Sequence, residues 1–485
     1  MNNLSAKKTL VLLFFVAFVV KFLTALFIRY LLNCLPITYH LDDVVIRGHD
    51  YFSYHGAMEN YVQTGHYYFF NGKENVYAGR LPHYSLLYLT LRQFLNIPLA
   101  NFGVVVFQLV VEAAAIISMA LLATRVIGTR ASFYITYGLG LLSLATSFYT
   151  IQVLPDSLSV SYIIFFAYFL HCYLHQPEVK WLLLTGLFVG LLVVLKPHFG
   201  LLYLVVVFYL TRQIPADLTW VNWLVLAQKV ILLTLPLLIM LTPWIIRNYR
   251  VQRQFIPLTV TIIAGYNYTP ADLACRRFLQ SFGEDFLYWD TTSAAYYFKT
   301  CPNSCSYQFP AYITTKKYGI AQVEAVRKQY GALQQNFSEE ADARVASIFE
   351  ALTQTYKHEK PFRYHILARL RSIKNFTFYN GSNYLPIRRT SPCYSPYHLL
   401  IYYSQLILYW STLTVGLLGL ILSAKENSNN LFILFIPVFL VLFFPIVLRW
   451  TEGRYFIHSY PFLLIGLVYV VERLRQKWLL KAKLN

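Results

Sequence analysis

An almost unbroken apolar run extends from Thr9 to about Leu32, after which the chain is polar and aromatic to about residue 100. That run is too long for a signal-peptide core and no small-residue cleavage site follows it, so it is expected to stay as a first membrane span. Further apolar runs lie at about 102–124, 131–151, 157–176, 181–196, 199–212 and 230–247. After a long polar region at 250–396, three more follow at about 398–421, 429–448 and 456–472. The pattern predicts an all-α polytopic membrane protein of about ten transmembrane helices, the run at 199–212 being the shortest. It divides the chain into an N-terminal membrane module at 1–249 with a large first loop at 33–100, a polar subdomain at 250–396 and C-terminal membrane helices at 397–485.

Within the first loop, a helix over Asp50–Gln63 would align Tyr51, Tyr54, Met58 and Tyr61 in one stripe, with Ser53, Glu59 and Asn60 turned away. Such a helix would lie on the membrane surface. Ser85–Phe94 is too short to cross a bilayer, which takes about 20 residues, and reads as a second surface helix. Thr219–Lys229, with Trp220 and Trp223, reads as an interfacial helix ahead of the seventh span. Lys21, inside the first span, is expected either to snorkel to the interface or to face a polar cavity. The polar subdomain shows helical patterns at about 319–335, 338–357 and 361–374, the second preceded by Asn336 with Glu339 three residues on, a capping pair.

Composition agrees with this class. Of 485 residues 57% are hydrophobic and 13% charged, about half the charge of a soluble globular protein. The 41 Lys and Arg against 22 Asp and Glu suit anionic headgroups or phosphorylated lipids; nucleic acid is not an expected partner of a chain made largely of membrane spans. Lys7, Lys8, Arg125, Arg130, Lys180, Arg212, Lys425 and the basic tail from Arg473 to Lys483 share the side of the N-terminus, which the positive-inside rule makes cytoplasmic for both termini.

That topology sends Asp50, Arg80, Asp156, Lys196, Arg247, Arg449, Glu452 and Arg454 to the opposite, exoplasmic face. A carboxylate among cations there can take a proton from a hydroxyl while the cations hold a phosphate. The competing readings are a helix cap for Asp50 and interfacial anchoring for each cation. His49, His55, His66 and His83 crowd the same loop without a recognised ligand spacing, and Asp42-Asp43 is not a D-x-D pair. No obligatory metal or other cofactor is therefore expected, a divalent ion at the histidines being the alternative. Cys275, Cys301, Cys305 and Cys393 lie on the oxidising side and allow one or two disulfides of undetermined pairing. Asn267, Asn336, Asn375 and Asn380 stand in glycosylation sequons.

Asp50, Tyr54, Gly65 and Tyr67, followed by Arg80-Leu81-Pro82-His83-Tyr84, resemble the first exoplasmic loop of glycosyltransferases of the C-type fold. The similar branch is that of protein O-mannosyltransferases, aminoarabinose transferases of lipid A and their bacterial relatives. The likeness continues in Leu154-Pro155-Asp156-Ser157-Leu158, Leu195-Lys196-Pro197, Pro243 to Tyr249 with Phe255 to Leu258 and Gly265 to Asn267, and Glu452-Gly453-Arg454-Tyr455. The resemblance implies a sugar donor carried on a polyprenyl phosphate and a lipid, glycan or protein acceptor. It also implies catalysis on the periplasmic side of a bacterial inner membrane, as in building a cell-envelope glycan. It makes Asp50 the base, with Tyr54, Arg80, Asp156, Lys196, Arg247, Glu452 and Arg454 around the substrate. One departure matters: many relatives place an acid directly after the loop aspartate, where this chain has Tyr51, so Asp42 or Asp43 stays open as the base. A transporter or flippase of lipid-linked sugars, or an oligosaccharide polymerase or ligase, is the rival function.

Overall fold

The computed structural model describes residues 3–33, 40–42, 45–47, 50–70, 74–213, 220–259, 268–284, 293–299, 307–377 and 395–484. Asp43, His49, Asn267, Cys301, Cys305, Asn380 and Cys393 fall outside them. In chain order the α-helices are α1 (Asn3–Asn33), α2 (Ala57–Thr64), α3 (Leu86–Arg92), α4 (Ile97–Ile127), α5 (Arg130–Leu142), α6 (Leu144–Thr150), α7 (Asp156–His175), α8 (Val179–Leu195), α9 (Leu202–Arg212) and α10 (Trp220–Gln252). They continue with α11 (Pro270–Ser281), α12 (Ala294–Lys299), α13 (Ile320–Gln335), α14 (Glu339–Glu359), α15 (Ala368–Thr377), α16 (Pro396–Glu426), α17 (Leu431–Val441) and α18 (Tyr460–Leu484). Among the described residues of the first loop, β1 (His40–Asp42) pairs antiparallel with β2 (Val45–Arg47), and β3 (Phe69–Phe70) with β4 (Asn75–Val76).

Among the described residues seven helical segments are long and apolar enough to cross a membrane, and α5 with α6 makes an eighth if the pair, bent by 53° at Ser143, counts as one span. The expected spans at 181–196 and 199–212 are present as shorter apolar helices, Val179–Leu195 and Pro197–Arg212. At 1.5 Å per residue neither covers the roughly 30 Å of a hydrocarbon core unaided. The interfacial helix expected at Thr219–Lys229 is not separate: α10 runs unbroken from Trp220 through Pro236 and Pro243.

The chain forms two compact units: 1–266 with 380–437 and 457–485, and 267–379 with 438–456. Close helix crossings hold the first unit together. A side chain on Gly416 or Gly419 of α16 would strike the backbone of Leu463 or Gly466 on α18, so only glycine permits that approach. The second unit has its own core around Phe278, Phe298, Tyr330, Phe349 and Tyr356. Its helices match the expected pattern, but the cap of α14 is Ser338, whose side chain accepts from the Ala341 amide, while Asn336 ends α13. Cys275 is a buried free thiol, which takes it out of the expected disulfide set.

Candidate active site

The loop helix begins with a π-helical turn, Phe52–Gly56, before α2. The wider turn moves the stripe: Tyr51, Tyr54 and Met58 are buried as expected, whereas Tyr61 is exposed and Ser53 is turned inward. Ser53 Oγ donates to the Asp50 carbonyl (2.8 Å). Tyr51 is already helical (φ −49°, ψ −48°), and the Asp50 carbonyl ahead of it accepts from the Ser53 amide (3.1 Å). The Asp50 carboxylate faces Arg80, Oδ1 to Nη2 at 3.8 Å, both side chains about a fifth exposed. The Arg80 guanidinium lies 4.7 Å over the Tyr54 ring, a cation–π contact that orients it beside the carboxylate.

Three sets of stitches hold this pair in place. First, β2 bonds to the segment before α7: the Ile46 amide donates to the Ile151 carbonyl (3.3 Å) and the Val153 amide to the Ile46 carbonyl (3.2 Å). Second, α4 reaches up to the loop. Asn101 accepts from His55 Nδ1 (3.0 Å) and donates to the Tyr51 hydroxyl (3.2 Å), and Gln108 accepts from the Tyr84 hydroxyl (3.0 Å). Third, the end of α10 clamps backbone carbonyls. Trp244 Nε1 donates to Leu258 O (2.7 Å), Asn248 Nδ2 to Ile256 O (2.9 Å), and the Arg247 guanidinium to both Tyr67 O and Tyr77 O.

His55 is stacked against Tyr88 at 4.1 Å and Tyr84 at 5.3 Å. Burial depresses its pKa to about 3, only partly offset by the bond to Asn101, so it is neutral with its proton on Nδ1. Burial pushes the Tyr84 hydroxyl up, and the neighbouring Tyr54 and Asp156 add to this; Asp156 is thus an electrostatic neighbour of the same ring. Burial also opposes the Glu59 carboxylate, but bonds from Arg92 and Tyr88 outweigh it and hold its pKa below the usual value. That pair, 2.6 Å apart, fixes α2 to α3.

The predicted site residues therefore fall into groups. Asp50, Tyr54 and Arg80 come together, and Arg247 meets them through Tyr67, on whose hydroxyl Arg80 and Arg247 both act. Asp156 and Lys196 form a separate buried pair at 2.8 Å, with Ser159 Oγ bridging the Asp156 carbonyl (2.9 Å) and His458 Nε2 (2.7 Å). Glu452 and Arg454 pair within the second unit at 2.6 Å, and Trp450 Nε1 donates to Glu452 (3.1 Å). Asp42 stands at the end of β1. Among the described residues no three of His, Cys, Asp or Glu gather as a metal site.

Lys21 does not snorkel. It is fully buried, donating to Ser143 O and Ser147 Oγ (both 2.8 Å) with Glu112 Oε1 at 3.4 Å. Glu112 in turn accepts from Thr146 (3.2 Å), Ser147 (2.9 Å) and Thr150 (2.7 Å). Glu112, Ser143, Thr146, Ser161 and Tyr460 line a cavity of about 30 Å³ beside the bend. Sequence reasoning passed over Asn101, Gln108 and Glu112, although their spacing of i, i+7 and i+11 sets all three on one face of an otherwise apolar helix.

The fold and this site define a polytopic, mainly helical membrane protein with a partly exposed acid–guanidinium pair in its first loop. No protein-family model and no curated protein matches the chain. Among solved structures it is similar to the archaeal oligosaccharyltransferase AglB from Archaeoglobus fulgidus in complex with an inhibitory peptide and a dolichol-phosphate, at 13% identity and a TM-score of 0.45, covering 96% of this chain and 51% of that one. It is also similar to the Archaeoglobus fulgidus oligosaccharyltransferase tethered to an acceptor peptide containing the NVT sequon, at 12% identity and a TM-score of 0.43, covering 96% and 50%. The chain spans about half the length of these structures.

Proposed function

We propose that this protein is an integral-membrane glycosyltransferase of the C-type fold. In this reading it moves a sugar from a polyprenyl-phosphate donor to an acceptor on the exoplasmic face, inverting the anomeric carbon. Asp50 takes the proton of the acceptor hydroxyl or amine as that group attacks; the C–O bond to the lipid phosphate breaks, and the phosphate leaves as an anion needing no proton. The observation that carries this is the Asp50–Arg80 pair, 3.8 Å apart and about a fifth exposed: a carboxylate beside a cation able to hold the departing phosphate. A charge-assisted contact of that kind contributes about 1.5 to 3 kcal/mol. Arg247 acts through the loop whose carbonyls it holds. Lys196 reaches a phosphate only by sharing its ammonium with Asp156, and Arg454 only by sharing with Glu452.

A transporter of lipid-linked sugars is the second reading, because the buried Lys21–Glu112 pair at a bent span is a feature such proteins use. Its cavity of about 30 Å³ has room for a water or two, whereas small-molecule pockets run from about 300 Å³ upward. Purified protein incubated with polyprenyl-phosphate-linked pentose and hexose donors and membrane extract should release free polyprenyl phosphate, and the Asp50→Asn variant should not. Sugar crossing sealed vesicles with the glycosyl phosphate bond intact would overturn the transferase reading.

A further inference from the structure

The second unit carries a helix whose two sides are both apolar. It starts at Phe362, passes through a π turn at Arg363–Leu367 and continues as α15 to Thr377. Its inner side steps by four through Tyr364, Ala368, Ser372 and Phe376, all buried. Phe376 stacks on Phe444 at 5.7 Å and meets Phe456 edge-on at 5.5 Å. Gly283, at φ +83°, lets the backbone of Ala368 approach where a side chain would collide.

The outer side also steps by four, through Phe362, Ile366 and Leu370 with Leu367 beside them. These residues are 65%, 46%, 56% and 38% exposed. Four large apolar side chains in one stripe need a partner, and two observations say which. Phe444, on which the helix rests, belongs to the candidate span Ser428–Leu448 and lies about one turn from its end; the helix therefore stands at the level where that span leaves the hydrocarbon. The segment 357–374 also contains Lys357, Lys360, Arg363, Arg369, Arg371 and Lys374 against the single acid Glu359, and Lys357, Arg363 and Lys374 are exposed. An apolar stripe flanked by cations is the composition of a helix lying in a lipid interface.

We propose that Phe362–Lys374 docks in the interfacial layer of an anionic membrane. The stripe of Phe362, Ile366, Leu367 and Leu370 enters the boundary of headgroups and acyl chains, and Lys357, Arg363 and Lys374 contact lipid phosphates. This does not rest on the reaction proposed above.

The test uses the full chain in vesicles containing a photoactivatable phosphatidylglycerol or phosphatidylcholine, with its diazirine near the glycerol, and maps labelled peptides by mass spectrometry. The peptide holding Phe362–Leu370 should be labelled along with the membrane spans, more strongly by the anionic lipid. Replacing Phe362, Ile366 and Leu370 by aspartate should remove that labelling and leave the spans labelled, which also reports that the variant is folded and inserted. Lys357→Glu, Arg363→Glu and Lys374→Glu together should lower labelling by the anionic probe on the order of tenfold or more, since each basic residue near such a surface contributes about fivefold. They should spare labelling by the neutral probe. An unlabelled peptide in the wild-type chain overturns the proposal, and so does labelling by the anionic probe that ignores the charge reversals. Cross-linking of this peptide to a second copy of the chain in place of lipid would assign the stripe to self-association and overturn it as well.

Discussion

The first loop and the interior of the helix bundle each contain an acid facing a base, under opposite conditions. Asp50 and Arg80 stand 3.8 Å apart, each about a fifth exposed. Lys21 and Glu112 are enclosed, and Ser143, Thr146, Ser147 and Thr150 complete their shell. Removing charges from water costs several kcal/mol per ion, so an enclosed pair persists only when every lone pair and proton is matched. A group matched in that way has nothing left for a substrate. The Asp50–Arg80 pair is looser and partly exposed, which is why the proposed chemistry is assigned to the loop, while Lys21 donates to the Ser143 carbonyl at the bend between α5 and α6.

The contrast is most exposed to failure at Lys21. Lys21→Met leaves Glu112 buried without its cation and should cost about 3 to 5 kcal/mol of stability, read as earlier thermal unfolding in detergent; adding Glu112→Leu should restore much of it. Asp50→Asn should do the reverse, lowering transfer at least about a hundredfold with stability changed by less than about 1 kcal/mol. If Asp50→Asn unfolds the protein or Lys21→Met leaves it intact, the division of roles is wrong.

His55 tests the frame beneath the Asp50–Arg80 pair. An unfolded histidine takes up its proton near pH 6.5, the folded one only at about 3, so its contribution is complete above about pH 7. Stability should then fall by about 1.4 kcal/mol per pH unit as the pH drops below about 6. His55→Phe keeps a ring between Tyr84 and Tyr88 and should flatten that slope in denaturant titrations at pH 7 and pH 5. The smallest effect belongs to Arg277→Ala, which breaks a pair with Glu350 whose side chains are both more than half exposed; it should change stability by under about 1 kcal/mol.

Hydrophobic periodicity located nearly every helix, because long apolar runs have few alternatives in a membrane protein. It failed where one irregular turn changes the register. The π turn at Phe52–Gly56 exposed Tyr61 and buried Ser53, and no residue type announces such a turn. Runs at 181–196 and 199–212 appeared as helices too short to span alone. The candidate site was legible as a set of unusual charges, and Asp50, Tyr54 and Arg80 do meet. Their division into Asp50–Arg80, Asp156–Lys196 and Glu452–Arg454 was hidden, since pairing depends on contacts between residues far apart in the chain. The sequence leaves Lys21 open to either the interface or a polar cavity, because its partner, Glu112, lies 91 positions on.

The hydrogen bonds of the clamp at the end of α10 reach main chain: Trp244, Arg247 and Asn248 all donate to carbonyl oxygens, and every amino acid offers one. Position 67 adds a side-chain hold, since its ring meets Trp244 edge-on at 5.9 Å and lies 5.7 Å from the Arg247 guanidinium. The bonds to positions 77 and 258 make no demand on which side chain stands there, so identity can drift at those two points while the grip itself stays constant.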